Sequence, residues 1–392
     1  MYYKKLRSMG VLKMDFSLSE EHKLLRQTIS RFVKKNIIPL AEEIDAGEEI
    51  PSHLLQDIAK QGYFGIRYPE AYGGAGSDMI SYIIMVEEMA YGSMSVAAAV
   101  SVHTSAGTMP IYRFGSEEQK QKYLVPAIKG EKIGCFALTE PNAGSDVAAI
   151  QTTARKVRDG YLLNGSKTFI TNALRANYAI VAAKTDFAKG RKGISLFIVD
   201  KETPGFQVLR KLSKMSIRGS DTGELIFEEC FVPSGALLGE EGKGFDYLKE
   251  SLVDGRIMTA ANCLGVCRAA FDAGLTYARQ REQFGQQIGK FQAVNFKLAD
   301  MAVDLEAARL LVYYSAWLSD VNKERAKEAS IAKLFASEAA NRIATKAVEI
   351  HGGYGIMMEY PVQRLYRDAR FLTIGEGTSD IQRLVIGNLL VF

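Results

Sequence analysis

Apolar residues along the first third of the chain recur at helical spacing. Leu24, Leu25, Ile29, Phe32 and Val33 share one face, and Pro39 interrupts it because proline lacks the amide proton a helix needs. Ser52 reads as the cap of a following helix that ends at Gly62, and Ser116-Glu-Glu-Gln119 has the reciprocal pattern of a capping box. Between them, Tyr72-Gly-Gly-Ala-Gly76 is a loop that no strand precedes and no P-loop lysine follows. It reads as a structural turn, not a phosphate cradle. From about residue 132 to 240 the period becomes that of strands. Runs at 179–183, 194–199 and 225–232 are rich in β-branched or aromatic residues, and Asp159-Gly160 and Asn164-Gly165 predict hairpin turns. This pattern suits an antiparallel sheet or small barrel, and the absence of GxGxxG after a strand excludes the Rossmann signature. Beyond 241 the helical period returns. Phe296, Leu298, Met301, Leu305, Ala308, Leu311 and Val312 line one long helix, and a second, 326–350, stops at Gly352-Gly353. Long helices with short connections predict a bundle.

The plan is mainly α with a central β domain: a basic N-terminal extension (1–13), a helical domain (14–131), a middle β domain (132–240) and a C-terminal helical bundle (241–392). Met14 is a plausible alternative start. Residues 1–13 lack the apolar stretch of a signal peptide, and no run is long and apolar enough to span a membrane.

Composition narrows the function classes. At 392 residues the chain exceeds one ordinary core, and 47% hydrophobic with 24% charged residues is ordinary for a globular protein. A net charge of +4 is too small to imply a nucleic-acid partner, so clusters such as Lys189-Gly-Arg-Lys192 read as solvated turn tips. Cys135, Cys230, Cys263 and Cys267 have no histidine at metal-ligand spacing and read as buried thiols in a reducing compartment. His22, His53, His103 and His351 are scattered, with no HExxH pair and no GxSxG elbow, so zinc hydrolysis and a serine triad are set aside and no metal is expected. Trp317, Tyr313 and Tyr314 read as core or interface.

One stretch bears candidate chemistry. Glu376 sits between Gly375 and Gly377, where the backbone can turn freely and approach a ligand closely. Ser379 with Gln382 reads as a capping box, and Ile381, Leu384, Val385 and Leu389 then recur on one face, so a helix packing on a core begins here. Two readings stand side by side: a solvated loop acid beside a helix cap, or a poised carboxylate at an anion-favouring helix N-terminus.

Four motifs occur in one order: Pro69-Glu-Ala-Tyr-Gly-Gly-Ala-Gly76, Leu138-Thr-Glu-Pro-Asn-Ala-Gly-Ser-Asp146, Arg281-Glu-Gln-Phe-Gly285 and Ile374-Gly-Glu-Gly-Thr-Ser-Asp-Ile-Gln-Arg383. Over nearly its whole length the chain resembles the acyl-CoA dehydrogenases. The resemblance implies a homotetramer with FAD held non-covalently between the β domain, the four-helix bundle and a neighbouring subunit. It implies α,β-dehydrogenation of an acyl-CoA thioester to the trans-2-enoyl product, with Glu376 taking the α-proton and the β-hydride passing to flavin N5. Some relatives take the base from the residue before an arginine in the bundle's first helix; here that place is Gly255, before Arg256.

By the same resemblance, Phe136, Leu138, Thr139, Gly144 and Ser145 would contact the flavin, flanked by Phe169, Ile170 and Thr171. Phe169 stands where many relatives have tryptophan, so the indole donor is absent. Arg281, Phe284, Gln292, Glu349, Gly352 and Gly353 would reach the neighbouring subunit's FAD. Thr378, Ser379 and Asp380 would meet its diphosphate or adenosine end. Glu349 and Asp380 are acids where relatives often have amides.

Ser145 and Arg256 would contact CoA. Val253 replaces an acid often found three residues before that arginine, Asp254 is displaced by one, and Asn388 replaces an arginine that some straight-chain enzymes use. Gly375 replaces the tyrosine usual in straight-chain enzymes, which would open volume for short branched or cyclic acyl groups. Gly92 replaces the arginine of glutaryl-type enzymes. His103 falls in a segment that lines the acyl pocket of relatives, and reads as a packed helix histidine. An electron-transferring flavoprotein is the implied acceptor and a prokaryotic cytoplasm the expected location, with the mitochondrial matrix as alternative. An acyl-CoA oxidase or flavin monooxygenase of this fold is the nearest rival. A nucleic-acid-associated member of the fold would carry a basic C-terminal surface that 371–392 lacks.

Overall fold

The computed structural model describes residues 17–391. The expected extension 1–13 and the alternative start at Met14 lie outside the described residues. The chain begins with helices α1 (Glu20–Asn36), α2 (Ala41–Gly47), α3 (Ser52–Lys60), α4 (Met79–Gly92), α5 (Met94–Thr104), α6 (Met109–Phe114) and α7 (117–128, with a π turn at Lys120–Leu124). Pro39 falls in a short 3-10 turn, Ile38–Leu40, between α1 and α2. The capping box at Ser116 and Gln119 forms in both directions. Ser52 does not cap α3: Pro51, with its fixed extended backbone, holds the cap position, and no side chain bonds there. Gly62 follows that helix at φ +77°, a conformation that costs glycine nothing.

Eight strands follow: β1 (Gly134–Ala137), β2 (Thr153–Val157), β3 (Gly160–Thr171), β4 (Tyr178–Lys184), β5 (Ile194–Asp200), β6 (Phe206–Lys211), β7 (Thr222–Pro233) and β8 (Leu237–Leu238). They form one sheet in the order β6-β7-β3-β2-β4-β5-β8, with β1 beside β4. Pairing is antiparallel except at β1–β4 and a single β2–β4 pair, Thr153 with Lys184. All of β4 is buried, which is why it reads as an unbroken apolar run. One face packs Leu163, Val181, Phe197 and Phe227 together. The other packs Ile180, Leu196 and Ile198 against Met109 and Leu124 from α6 and α7.

The two predicted hairpin turns fare differently. Val157 pairs with Gly160, so the β2–β3 turn is Arg158-Asp159, one residue before the expected dipeptide. Asn164-Gly165 is no turn at all. It lies inside β3 at a register shift against β7, where the Asn164 amide and the Glu229 carboxylate join across the strands. Gly165 has φ +148°, and an added Cβ would meet Thr152 at 2.6 Å. The dipeptide's local turn preference yields to pairing with a second long strand.

The C-terminal part holds α8 (Gly244–Gln280), the short ribbon β9–β10 (Glu282–Gln283, Gln286–Gln287), α9 (Gln292–Asp320), α10 (Ala326–His351), α11 (Pro361–Leu372) and α12 (Ser379–Val391). A single apolar core runs from Ile29 and Val33 on α1, through α4, into α8, α9, α10 and α11. Helix α12 departs from expectation. Only Gln382 on it is buried, and Leu384, Leu389, Leu390 and Val391 are exposed, because nothing among the described residues covers them. Among the described residues, no helix is long and apolar enough to cross a membrane. All four cysteines are buried free thiols.

Helices α4 and α8 meet at Gly265, where an added Cβ would lie 2.4 Å from the Glu87 carbonyl oxygen and 2.5 Å from Ala90 Cβ. Gly265→Val should force this joint apart and cost about 1–3 kcal/mol or more, read as a lowered denaturation midpoint. An unchanged midpoint would contradict the close crossing.

Candidate active site

Helix α11 ends at Leu372, and the Phe371 carbonyl accepts the N–H groups of Ile374 (2.9 Å) and Gly375 (3.0 Å). Two residues later the backbone turns left-handed, at φ +56° for Glu376 and +89° for Gly377. A non-glycine residue there is uncommon and must be held by its surroundings. Helix α12 then starts, but its cap is Thr378, whose Oγ1 accepts the Ile381 N–H at 3.2 Å. The expected Ser379–Gln382 box does not form. The Ser379 hydroxyl is buried without a partner, and Gln382 turns back to donate to the carbonyls of Glu376 (3.2 Å) and Gly377 (3.1 Å). None of the N–H groups of Glu376, Gly377 and Thr378 finds an acceptor among the described residues. Three unpaired donors thus lie beside one carboxylate at a helix N-terminus, an arrangement that favours anions.

The Glu376 carboxyl is enclosed although the residue as a whole keeps some surface. Burial raises its proton affinity above the ordinary carboxylate range, while Lys333 and Arg256 oppose the shift. Gly255 makes room: a Cβ there would lie 2.9 Å from Glu376 Oε2. The glycine that excludes a rival base on α8 therefore also admits this one. Arg256 on the same turn is made less basic by burial, and its Nε has no partner among the described residues.

Gly375 does not open a void. An added Cβ would meet the Phe371 ring at 2.6 Å, so the space a side chain would take is filled from one helical turn earlier. Asp254 faces away from Glu376, clasped by Arg67 (2.8 Å), Arg113 (2.8 Å) and Arg325 (3.0 Å). His103 is a packed helix histidine. Its Nδ1 accepts the Gly134 N–H, its Nε2 meets the Ala127 carbonyl, and burial pushes its pKa down to about 4.

The remaining candidates fall into two groups within one chain. Phe136, Leu138 and Thr139 run out of β1 alongside the end of β3, where the Thr168 N–H donates to the Thr139 carbonyl at 2.9 Å. Beneath them the fully buried Lys167 ammonium joins the Leu138 carbonyl (3.1 Å) and the Glu140 carboxylate (2.7 Å). Gly144 and Ser145 are exposed, Ile170 is buried and Thr171 half-buried. Phe169 is 69% exposed at φ +59°.

The second group lies on the bundle, around a groove of about 480 Å³ lined by Tyr277, Arg281, His351, Gly352, Gly353 and Tyr354. Among the described residues Arg281 makes no salt bridge, and it stacks 5.8 Å over Tyr354. Phe284 is 94% exposed at φ +53°, and Gln292 is exposed. Lys297 neutralises Glu349 at 2.5 Å. Asp380 is exposed beside Arg383 at 3.4 Å.

Sequence reading missed Lys333, Phe371 and the Lys167–Glu140 pair, and gave Gln382 a capping role in place of its bonds to the Glu376 and Gly377 carbonyls. Lys333 had a signal: it stands on the buried stripe of Ala329, Ala336 and Ala340, where a charge is unexpected.

Three family models match in order: acyl-CoA dehydrogenase N-terminal domain over residues 19–131, middle domain over 135–230 and C-terminal domain over 242–390. An acyl-CoA dehydrogenase of Bacillus subtilis is 48% identical over 95% of this chain and 99% of its own. The human mitochondrial short-chain specific acyl-CoA dehydrogenase is 45% identical over 98% and 93%. Subunit CarC of the caffeyl-CoA reductase–Etf complex of Acetobacterium woodii is 45% identical over 95% and 99%. The solved structure of butyryl-CoA dehydrogenase from Megasphaera elsdenii superposes with a TM-score of 0.94 at 44% identity, covering 97% of this chain and all of that one. Fold and site together define a flavin-dependent oxidoreductase. The chain belongs to the acyl-CoA dehydrogenase family.

The residues present suit FAD. An exposed aromatic face, an open glycine loop, an unpartnered Ser379 hydroxyl and an Arg281 without an anion are the surfaces a ring system and a diphosphate need.

Because the folded state holds the Glu376 proton more tightly than the unfolded chain, protonation stabilises it, and that stability is lost as pH rises past the unfolded value. Glu376→Gln should therefore gain melting temperature relative to the parent as pH rises from 4 to 8. A difference that stays flat with pH would contradict the burial.

Proposed function

We propose that the protein dehydrogenates a short-chain acyl-CoA thioester to its trans-2-enoyl-CoA, with Glu376 removing the α-proton. The observation that carries this reading is the enclosed carboxyl at a left-handed turn with three unpaired backbone donors beside it. A C–H next to a thioester is weakly acidic, so the base must be strong and the developing negative oxygen must be stabilised. Burial supplies the first need by raising the basicity of Glu376. The Glu376 N–H is an unpaired donor for the thioester oxygen. FAD, when bound, supplies the acceptor for the β-hydride.

Phe136, Leu138, Thr139, Gly144, Ser145 and Phe169–Thr171 would hold the flavin of their own subunit. Arg281, Phe284, Gln292 and Gly352-Gly353 would serve that of a neighbour. Ser379 would bond the cofactor's far end, and neutralised Glu349 would not repel it. Ser145 and Arg256 are assigned to CoA. The homotetramer is supported by apolar α12 and by Phe284 standing exposed. An electron-transferring flavoprotein partner is supported by the relative in a reductase–Etf complex. A cytoplasmic location fits the bacterial relatives. A short chain fits the short-chain and butyryl-CoA relatives, with branched or cyclic groups requiring Phe371 to swing off Gly375.

Anaerobic addition of straight, branched and cyclic acyl-CoAs to the flavin-loaded protein should bleach the visible flavin band. Glu376→Gln should slow this by about 10²–10⁴-fold. A protein that takes up no FAD, or a Glu376→Gln variant bleached at the parent rate, would refute the reading.

A further inference from the structure

Lys333 lies about two turns into α10 with no exposed surface, on a stripe made mostly of alanine, serine and isoleucine. A buried ammonium without a carboxylate in direct contact is costly, and among the described residues no carboxylate forms an ion pair with it. Its side chain hydrogen-bonds the Gly377 carbonyl oxygen, at 2.6 Å. That carbonyl also accepts from the Gln382 amide, which is itself fully buried and bonds the Glu376 carbonyl as well. The two carbonyls of the left-handed turn are thus held by buried side chains of two helices, Lys333 of α10 on Gly377 and Gln382 of α12 on both.

We propose that Lys333 is a positioning residue for the base: its ammonium, with the Gln382 amide, locks the Glu376–Gly377 turn so that the carboxylate is aimed at substrate. This rests on Glu376 being the base, as proposed above. The lock explains how a non-glycine residue stays at φ +56° while its own N–H remains free for a ligand. The charge explains how a carboxylate that burial pushes upward still ionises, since Lys333 and Arg256 both favour its charged form.

The groups facing Glu376 are few. Helix α8 presents Arg256, while its Cys263 thiol, which burial keeps neutral, lies toward Lys333. Helix α10 presents Lys333, with Glu338 further along it and bound by Arg383 of α12. Asp380 of α12 is exposed beside Arg383. On α11, Arg370 is exposed and Asp368 turns away to accept the Ile217 N–H at 2.6 Å. Lys333 and Arg256 are therefore the two charges that act on the base.

The test compares Lys333→Met and Gln382→Leu with the parent and with Glu376→Gln. Flavin content and enoyl-CoA binding report structure. The anaerobic rate of flavin reduction by butyryl-CoA across pH reports function. The carboxyl infrared band that Glu376→Gln abolishes reports the protonation of the base directly. Lys333→Met should keep flavin and enoyl-CoA binding, lose about a hundredfold in reduction rate, and titrate the Glu376 band at higher pH. Gln382→Leu removes donors but no charge, so the rate should fall without that displacement of the band. A flavin-loaded Lys333→Met protein with the parent rate and the parent titration overturns the proposal, as does a rate that falls only in step with lost flavin. If Lys333→Met does not fold, Gln382→Leu decides: a slowed, fully loaded protein supports the lock, and the parent rate overturns it. A Glu376→Gln protein that reduces at the parent rate overturns the base assignment itself, which separates the two failures.

Discussion

A carboxylate can act on a weakly acidic C–H only where water does not compete for it, and enclosing a carboxylate places demands on everything around it. Glu376 is enclosed, and the neighbouring structure answers those demands piece by piece. Gly255 leaves room for its oxygens, Arg256 and Lys333 supply compensating charge, and Lys333 and Gln382 bond the carbonyls of its turn. The joint between α4 and α8 at Gly265 is part of the same construction, because it seats the helix that carries Gly255 and Arg256. A left-handed glutamate is unfavourable alone; here it is set by contacts from α8, α10, α11 and α12.

The two groups of candidate cofactor residues differ in how they are built. The β-domain group rests on a buried ion pair, Lys167 with Glu140, which also collects the Gln151 and Thr152 N–H groups, so its loop is held from beneath. The bundle group is built of exposed rings and glycines, with Phe284 and Gly352 at positive φ and a groove open to solvent. No hydrogen bond or ion pair among the described residues joins the two. A rigid cradle on one part and an exposed lip on another is the arrangement expected of a ligand shared between copies, which is the reading proposed for the tetramer.

Much of the fold is legible in the sequence. Helices with a strong apolar stripe and a true capping box, as at Ser116, form where their spacing says, because local hydrogen bonds and burial agree. Asn164-Gly165 misled because strand pairing overrode a local turn preference, and Ser379 misled because Thr378, one residue earlier, reached the free N–H first. Gly375 suggested open volume, yet Phe371 fills it from the preceding turn, a relation that residue spacing alone does not reveal.

The sequence by itself determined the order of helical, β and helical parts, the family, and the single carboxylate on a glycine hinge, since periodicity and short motifs are local properties of the chain. Only the tertiary structure decided that Glu376 is enclosed, which two cations face it, and which buried side chains bond its turn. Lys333 lies 43 residues before Glu376 in the chain. The desolvation and charge that set the behaviour of an acid come from whatever folding brings within a few ångströms, irrespective of separation in sequence.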